Sequence, residues 1–465
     1  MTSTNDPGAA AAFRGGRRAA EARLAAIDPV RYGASRNHLE GAVTRLSPYI
    51  RHGVLTLAEV REALFTQLEA LGDGAVQGDL FAGSAAERRW SPAQRRAGEK
   101  LIQELGWRDY WQRLWRQWGD GIWEDREPLK TGHASESYAP ELPADLGAGA
   151  TGLACIDAFA AELMATGWLH NHARMWLAAY VVHWRRVRWQ AGASWFLRHL
   201  LDGDPASNNL SWQWVASSFS HKPYVFNRGN LERFSGGRYC AGCPAAARGG
   251  ADQPGGCPFE ASYEALQERL FRPEAPQPPQ PQSAPAGLAR SAPVPEWPVA
   301  GGVSALASPR RPLVWVHGEA MGPANPALRA HPGAPALFVF DSALIAGHTA
   351  TTGGHLQGGA TLQPLAPGRL RFLRECMAAL PVRVAEGDVA AELLAAAAAA
   401  GADAIVTSRA TDPRFARIAA RLAEVLPLQI LEPEPFVPLP HGGPGAPDLR
   451  RFSRYWRQAE PLVWG

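Results

Sequence analysis

The chain has 465 residues, enough for two or three domains, and 46% of them are hydrophobic, which is ample for globular cores. Its formal net charge is only +3, which excludes whole-chain charge as an argument for a polyanionic partner; a nucleic-acid site must be a local patch. The run MTSTNDPGAAAAFRGGRR holds no apolar core of signal-peptide length, and no apolar run reaches membrane-spanning length, so we expect a cytoplasmic protein without membrane contact. In that compartment five cysteines read as ligands or thiols rather than disulfides.

In chain order, residues 1–18 read as a flexible tail. Residues 19–271 read as an all-helical domain. Apolar spacing predicts helices over Leu57–Leu71, Ala97–Trp118, Ile156–Ala165, His172–Trp189 and Ser194–Leu201. Residues 272–311, with PEAPQPPQPQSAPAG, are too poor in apolar surface to fold and read as an extended linker. From 312 to 465 the texture changes. Short apolar runs at Leu313–Val316, Ala336–Phe340, Val382–Ala385 and Ala404–Thr407 alternate with helical segments, Val389–Ala400 among them. That is the pattern of a doubly wound α/β domain with a parallel sheet. No G-x-G-x-x-G follows its first strand, so a dinucleotide fingerprint is absent.

The most informative stretch is Thr166–Trp214. It places Asn171, Arg174, Asp202, Asp204 and Asn208 on an apolar, tryptophan-rich helical background. Acids, amides and an arginine on such a background need partners. Either a buried ion pair fixes helix packing, or a polar wall surrounds a flat, hydrogen-bonding cofactor. The 17 tryptophans concentrate between Trp107 and Trp214, where they can pack a core, stack on a base or relay electrons.

Cys240-x2-Cys243-x13-Cys257 is one C-x-x-C plus a third cysteine. A zinc ribbon would bring a second C-x-x-C or a histidine pair, and none stands nearby. Three thiolates and a distant fourth suit a [4Fe–4S] cluster, with Cys155 upstream. Zinc and free thiols are the alternatives. Cys376 reads as a core cysteine.

Three runs carry a resemblance: TGW-x-HN-x-x-RM from Thr166 to Met175, DGD from Asp202 to Asp204, and NN-x-x-WQW from Asn208 to Trp214. Together they resemble the flavin-binding core of the photolyase/cryptochrome family, over roughly Tyr32 to Phe234. The resemblance implies an FAD site. Tyr32 and the loop Val43 to Tyr49, with Thr44, Arg45, Leu46 and Ser47, would hold the pyrophosphate where N–H groups open a helix. Without the family match this loop is an ordinary helix cap. Arg174 and Asp202 would pair beneath the isoalloxazine, Asp202 accepting from its N3–H, with Asn208 near N5 and Asp204 beside them. Glu104, Trp107 and Arg108, in ELGWRDYW, resemble the family's EL-x-WRE-F, which implies that Trp107 stacks on the lesion and Arg108 approaches the flavin; the plain alternative is a surface Glu104–Arg108 pair at i, i+4. Asn171 and Met175 agree with the dimer-repairing type. Trp212 and Trp189 match two members of an electron-transfer chain. The third falls in a shortened segment, Pro140 to Ala150, where Tyr138 or another tryptophan would substitute.

The cysteines resemble the iron–sulfur branch of the same family. The α/β part resembles its antenna domain, which usually comes first, so the order implies a circular permutation. His317, Gly318 and Glu319 stand where that domain has an arginine-rich turn, which leaves the antenna chromophore unknown. The resemblance implies a deoxyribodipyrimidine photolyase-like enzyme that splits cyclobutane dimers in UV-damaged DNA by electron transfer from excited reduced FAD. The alternatives are a cryptochrome-like blue-light receptor without repair activity and a DNA-binding flavoprotein without photochemistry.

Overall fold

The computed structural model describes residues 13–72, 90–272, 309–347 and 363–465. The expected linker lies outside the described residues except at its two ends, as do the first twelve residues.

The first half is helical, and its helices start where capping chemistry stops an extended chain. Thr56 accepts the N–H of Glu59 while the Glu59 carboxylate accepts the N–H of Thr56, opening Leu57–Ala70. Ser91 and Gln94 repeat the arrangement at the head of Pro92–Trp118. That 27-residue helix sets Glu104, Trp107 and Arg108 on neighbouring turns.

Two expectations are corrected here. The tail does not extend to residue 18. Phe13 is buried beside Trp168, Gly15 donates to Glu375 at 2.6 Å, and a helix starts at Arg17. The expected helix His172–Trp189 is interrupted. Asn171–Ala179 is α-helical, Tyr180–Trp184 widens into a π turn, and Arg186 takes a left-handed φ of 49°. Beyond the π turn the backbone pairs with Ala139, which donates to Arg186 at 2.7 Å and accepts from Arg188 at 2.9 Å. Tertiary pairing overrides the apolar period, and a new helix, Trp189–His199, begins at the tryptophan.

The second half holds five parallel strands, β1 Pro312–Val316, β2 Ala336–Asp341, β3 Arg383–Gly387, β4 Ala404–Ser408 and β5 Leu428–Leu431, in the order β3-β2-β1-β4-β5. Alternate side chains serve opposite faces. Leu313 and Trp315 pack with Leu393 and Phe415, whereas Val314 and Val316 join the core that contains Phe372 and Cys376 and continues into the helical half. The expected α/β architecture with a parallel sheet therefore stands, with β5 as a strand that the sequence pattern did not single out.

The two halves approach closely at glycines. A Cβ on Gly53 would lie 2.2 Å from the carbonyl oxygen of Glu319, and Gly53 has φ +61°, a conformation glycine adopts freely. The last helix, Phe452–Trp464, packs against Pro92–Trp118 rather than the sheet, with Trp456 filling the space above Gly106. The division at 312–465 had grouped it with the sheet. Among the described residues no helix is long and apolar enough to cross a membrane.

Candidate active site

A cavity of about 600 Å³ lies in the helical half, within the range of small-molecule and cofactor sites. Its lining gathers nearly every residue expected of the flavin and lesion sites: Tyr32, Thr44, Arg45, Leu46, Ser47, Glu104, Trp107, Arg108, Asn171, Arg174, Met175, Asp202, Asp204, Asn208 and Trp212. Trp189 does not line it.

The acidic side of the wall is held by the loop between two helices, Trp189–His199 and Pro205–Ala216. Arg174 donates from Nη2 to Asp202 Oδ2 at 2.8 Å and from Nε to the carbonyl of Leu169 at 3.0 Å. The other Asp202 oxygen, Oδ1, is buried and has no protein partner. An unsatisfied buried carboxylate oxygen costs free energy unless a ligand donor meets it, and an imide N–H is such a donor. Asn208 spends its Nδ2 on the Ala193 carbonyl and Asn209 Oδ1, which leaves its own oxygen as the group to offer the cavity.

Asp204 caps the following helix by accepting from Ser207 N–H, and it accepts from Gln112 through both oxygens at 3.0 Å. Burial pushes its carboxyl up, but Arg108 and Arg51 outweigh that and hold it below the usual range. Arg108 lies 3.6 Å from Asp204, and Glu104 pairs with Arg36 at 3.5 Å. The helical i, i+4 pair is therefore replaced by two pairs that reach across the cavity. The crowding of protein around Glu104 raises its carboxyl, with Arg36 and Lys100 opposing.

In the loop Val43 to Tyr49, Arg45 takes φ 52°, and its guanidinium lies 4.7 Å from the Trp168 ring centre. His170 has a fixed tautomer: Nδ1 accepts from the His172 N–H and Nε2 donates to the Arg36 carbonyl. Burial and His172 lower it to about 4. On the lesion side, Asn171 reaches Met175 Sδ at 3.7 Å, and Trp107 stacks on Phe452 at 3.7 Å and 9°.

Trp212 contacts Gly192 so closely that a Cβ there would lie 2.2 Å from the indole. Gly192 stands one turn after Trp189, so the two tryptophans lie on neighbouring helices. Arg51 and Gln112, which meet Asp204, and Phe452, which stacks on Trp107, back the cavity's lining without forming it, and the sequence did not announce them because their partners lie far along the chain.

Cys155, Cys240, Cys243 and Cys257 line one small cavity with Leu153, Tyr239 and Phe259. Burial raises the Cys155 thiol, with Cys240 and Cys257 next in effect, and burial with Glu232 raises Cys240 to about 11. Among the described residues no three His, Cys, Asp or Glu side chains are placed to grip a single metal ion. Cys376 is remote, buried, and accepts the Gly16 N–H.

Residues 101–235 match the family model described as the FAD binding domain of DNA photolyase. A deoxyribodipyrimidine photo-lyase of Streptomyces griseus is 32% identical over 177 residues, 38% of this chain and 32% of that protein. A Neurospora crassa protein named as a mitochondrial cryptochrome DASH is 28% identical over 234 residues, 44% of this chain and 30% of that one. The matched part thus spans about a third of the length of these curated relatives. Among solved structures, an archaeal photolyase from Sulfolobus tokodaii superposes at TM-score 0.35 with 27% identity, covering 48% of this chain and 44% of that one. A Synechocystis cryptochrome superposes at TM-score 0.40 with 21% identity, covering 58% and 53%. Residues 101–235, which build much of this cavity, thus resemble the FAD binding domain of DNA photolyase.

Proposed function

We propose that the chain is a light-driven DNA-repair flavoprotein that splits cyclobutane pyrimidine dimers. The observation that carries this reading is one cavity lined both by the Arg174–Asp202 pair with Asn208 and by Glu104, Trp107, Asn171 and Met175. FAD fits the donor set: Asp202 Oδ1 lacks a partner where a ring N–H would sit, and Arg45, Thr44 and Ser47 stand together for a pyrophosphate. Bound and reduced, FAD supplies the light-absorbing one-electron donor.

The residues do the rest. Asp202 and Arg174 orient the ring, and the Asn208 amide meets a neutral or reduced ring without adding charge. Trp107 offers an apolar face to a base flipped from the duplex, a step that costs least where pairing is already damaged. Glu104 sets its carboxyl at the same cavity, where it can hydrogen-bond the polar edge of a pyrimidine. Arginines near the cavity would take flanking phosphates. The helical-first order supports a circular permutation of the family's usual arrangement.

We propose further that the four cysteines hold a [4Fe–4S] cluster; their shared cavity is what supports this, while among the described residues no three of them are placed to grip a metal ion. Counting iron and sulfide in anaerobically purified protein tests this: four of each is expected of a full cluster, and metal-free or zinc-loaded protein would contradict it.

The functional reading is tested by illuminating reduced protein with a dimer-containing oligonucleotide. Loss of dimers in light but not in darkness is expected. Protein with a full complement of reducible flavin that leaves dimers intact would move the assignment to a photoreceptor, the reading that the cryptochrome-like relative favours.

A further inference from the structure

Trp189 is 2% exposed, and its indole Nε1–H is 2.5 Å from Asp125 Oδ1. Asp125 itself is exposed. The carboxylate is therefore a bridge between a buried indole and water. Behind Trp189 lies Trp123, nearly parallel at 13° with ring centres 6.4 Å apart and itself 5% exposed. Trp212, by contrast, has a buried Nε1–H without a protein partner. Only one of these two matched tryptophans holds a proton acceptor.

We propose that Asp125 is the proton acceptor for oxidised Trp189 and that the electron-transfer chain ends there, at two tryptophans and a carboxylate. This rests on the flavin reading above. In the balanced sequence, one electron passes from Trp212 to photoexcited oxidised flavin, and one passes from Trp189 to Trp212. An indole that has lost an electron is far more acidic than a neutral one. Its N–H bond breaks, the proton moves to Asp125 Oδ1, and a neutral indolyl radical faces an uncharged carboxylic acid. Exchange of that acid with water completes the proton's exit. With its proton gone, the radical has no positive charge to pass to Trp123, and return of the electron then requires the proton back. A third tryptophan is not needed in this sequence.

The test is flash photolysis of the full chain loaded with oxidised flavin, reading the tryptophan radical by transient absorption in H2O and D2O. Wild type should form the neutral radical, more slowly in D2O. In Asp125→Asn the amide oxygen still accepts the N–H but cannot take the proton. That variant should show the radical cation and lose the long-lived species, its lifetime shortened by about 100-fold, the low end of what a positioned proton acceptor contributes. Trp123→Phe should leave yield and lifetime unchanged. A neutral radical of unchanged lifetime in Asp125→Asn, absence of a solvent isotope effect in wild type, or loss of the radical in Trp123→Phe would overturn the proposal. A chain that retains no flavin, seen directly in its absorption before any flash, would remove the flavin reading and this inference with it.

Discussion

Arg369, on the helix Pro367–Ala378 beside the sheet, donates from Nη2 to the carbonyl of Gly203 at 2.8 Å and from Nη1 to that of Leu197. Gly203 is the middle residue of the Asp202–Asp204 loop, and a Cβ on it would lie 2.5 Å from the guanidinium. The α/β half thus fixes the backbone on which the cavity's two acids stand. Burial and the neighbouring Arg51 pull Arg369 down to about 9, so it stays charged at neutral pH. Arg369→Met should cost about 3 kcal/mol, since hydrogen bonds from a charged group to buried carbonyls are lost while the chain's volume is kept. Urea unfolding would show it, and flavin should be released more readily from the folded variant.

Asp202→Ala should weaken flavin binding by about 10–100-fold, the equivalent of one charge-assisted hydrogen bond. It also strands Arg174, whose Nη2 partner is Asp202. Flavin fluorescence on titration measures this. Unchanged affinity would show that the orphaned Oδ1 does not face the ring.

Acid should destabilise the fold before carboxylates titrate. His170, His183 and His317 are buried, and each is lowered to about 4, chiefly by burial. Geometry agrees: His317 Nδ1 accepts the Glu319 N–H while Nε2 donates to Ser408, leaving no site for a second proton. From pH 6.5 down to about 4 the unfolded chain takes up protons that the folded chain refuses. Stability therefore falls as pH falls, by about 1.4 kcal/mol per pH unit for each histidine in that window. Unfolding free energies measured from pH 7 to pH 4 check the sign. A flat profile would contradict neutral burial.

Phe452 covers one face of Trp107. Phe452→Ala should leave flavin content unchanged and reduce affinity for dimer-containing DNA by up to about tenfold, because a stacked pair is worth about 0.5–1.5 kcal/mol. Competition binding in darkness separates this from any effect on the photochemistry.

The site was legible in the sequence where its parts sit on consecutive helices. Arg174, Asp202, Asp204 and Asn208 fall within one stretch, and the structure brings all of them to one cavity. The four cysteines met for a different reason: their spelling implied a shared site, and the fold places them around one space. What spelling did not reveal depends on long-range contacts. Gln112 meets Asp204 across 92 residues and Arg369 meets Gly203 across 166. Local rules misled in the same places. The Glu104–Arg108 spacing suits a helical pair, yet each charge has a better partner across the cavity. The apolar period from His172 to Trp189 suits one helix, yet Ala139 pairs with the backbone of Arg186 and Arg188. Nothing in the last helix announces that Trp456 will sit on Gly106.

The central claim is that this cavity holds reduced FAD and sends its electron to a pyrimidine dimer. The most direct measurement is the action spectrum of dimer loss by the purified chain, set against the absorption of its own bound flavin. The account predicts repair only in light, with an action spectrum that follows the reduced flavin and a quantum yield that collapses when Asp202 is replaced by Ala. Dimer loss in darkness, or none under light from fully flavin-loaded reduced protein, would contradict it.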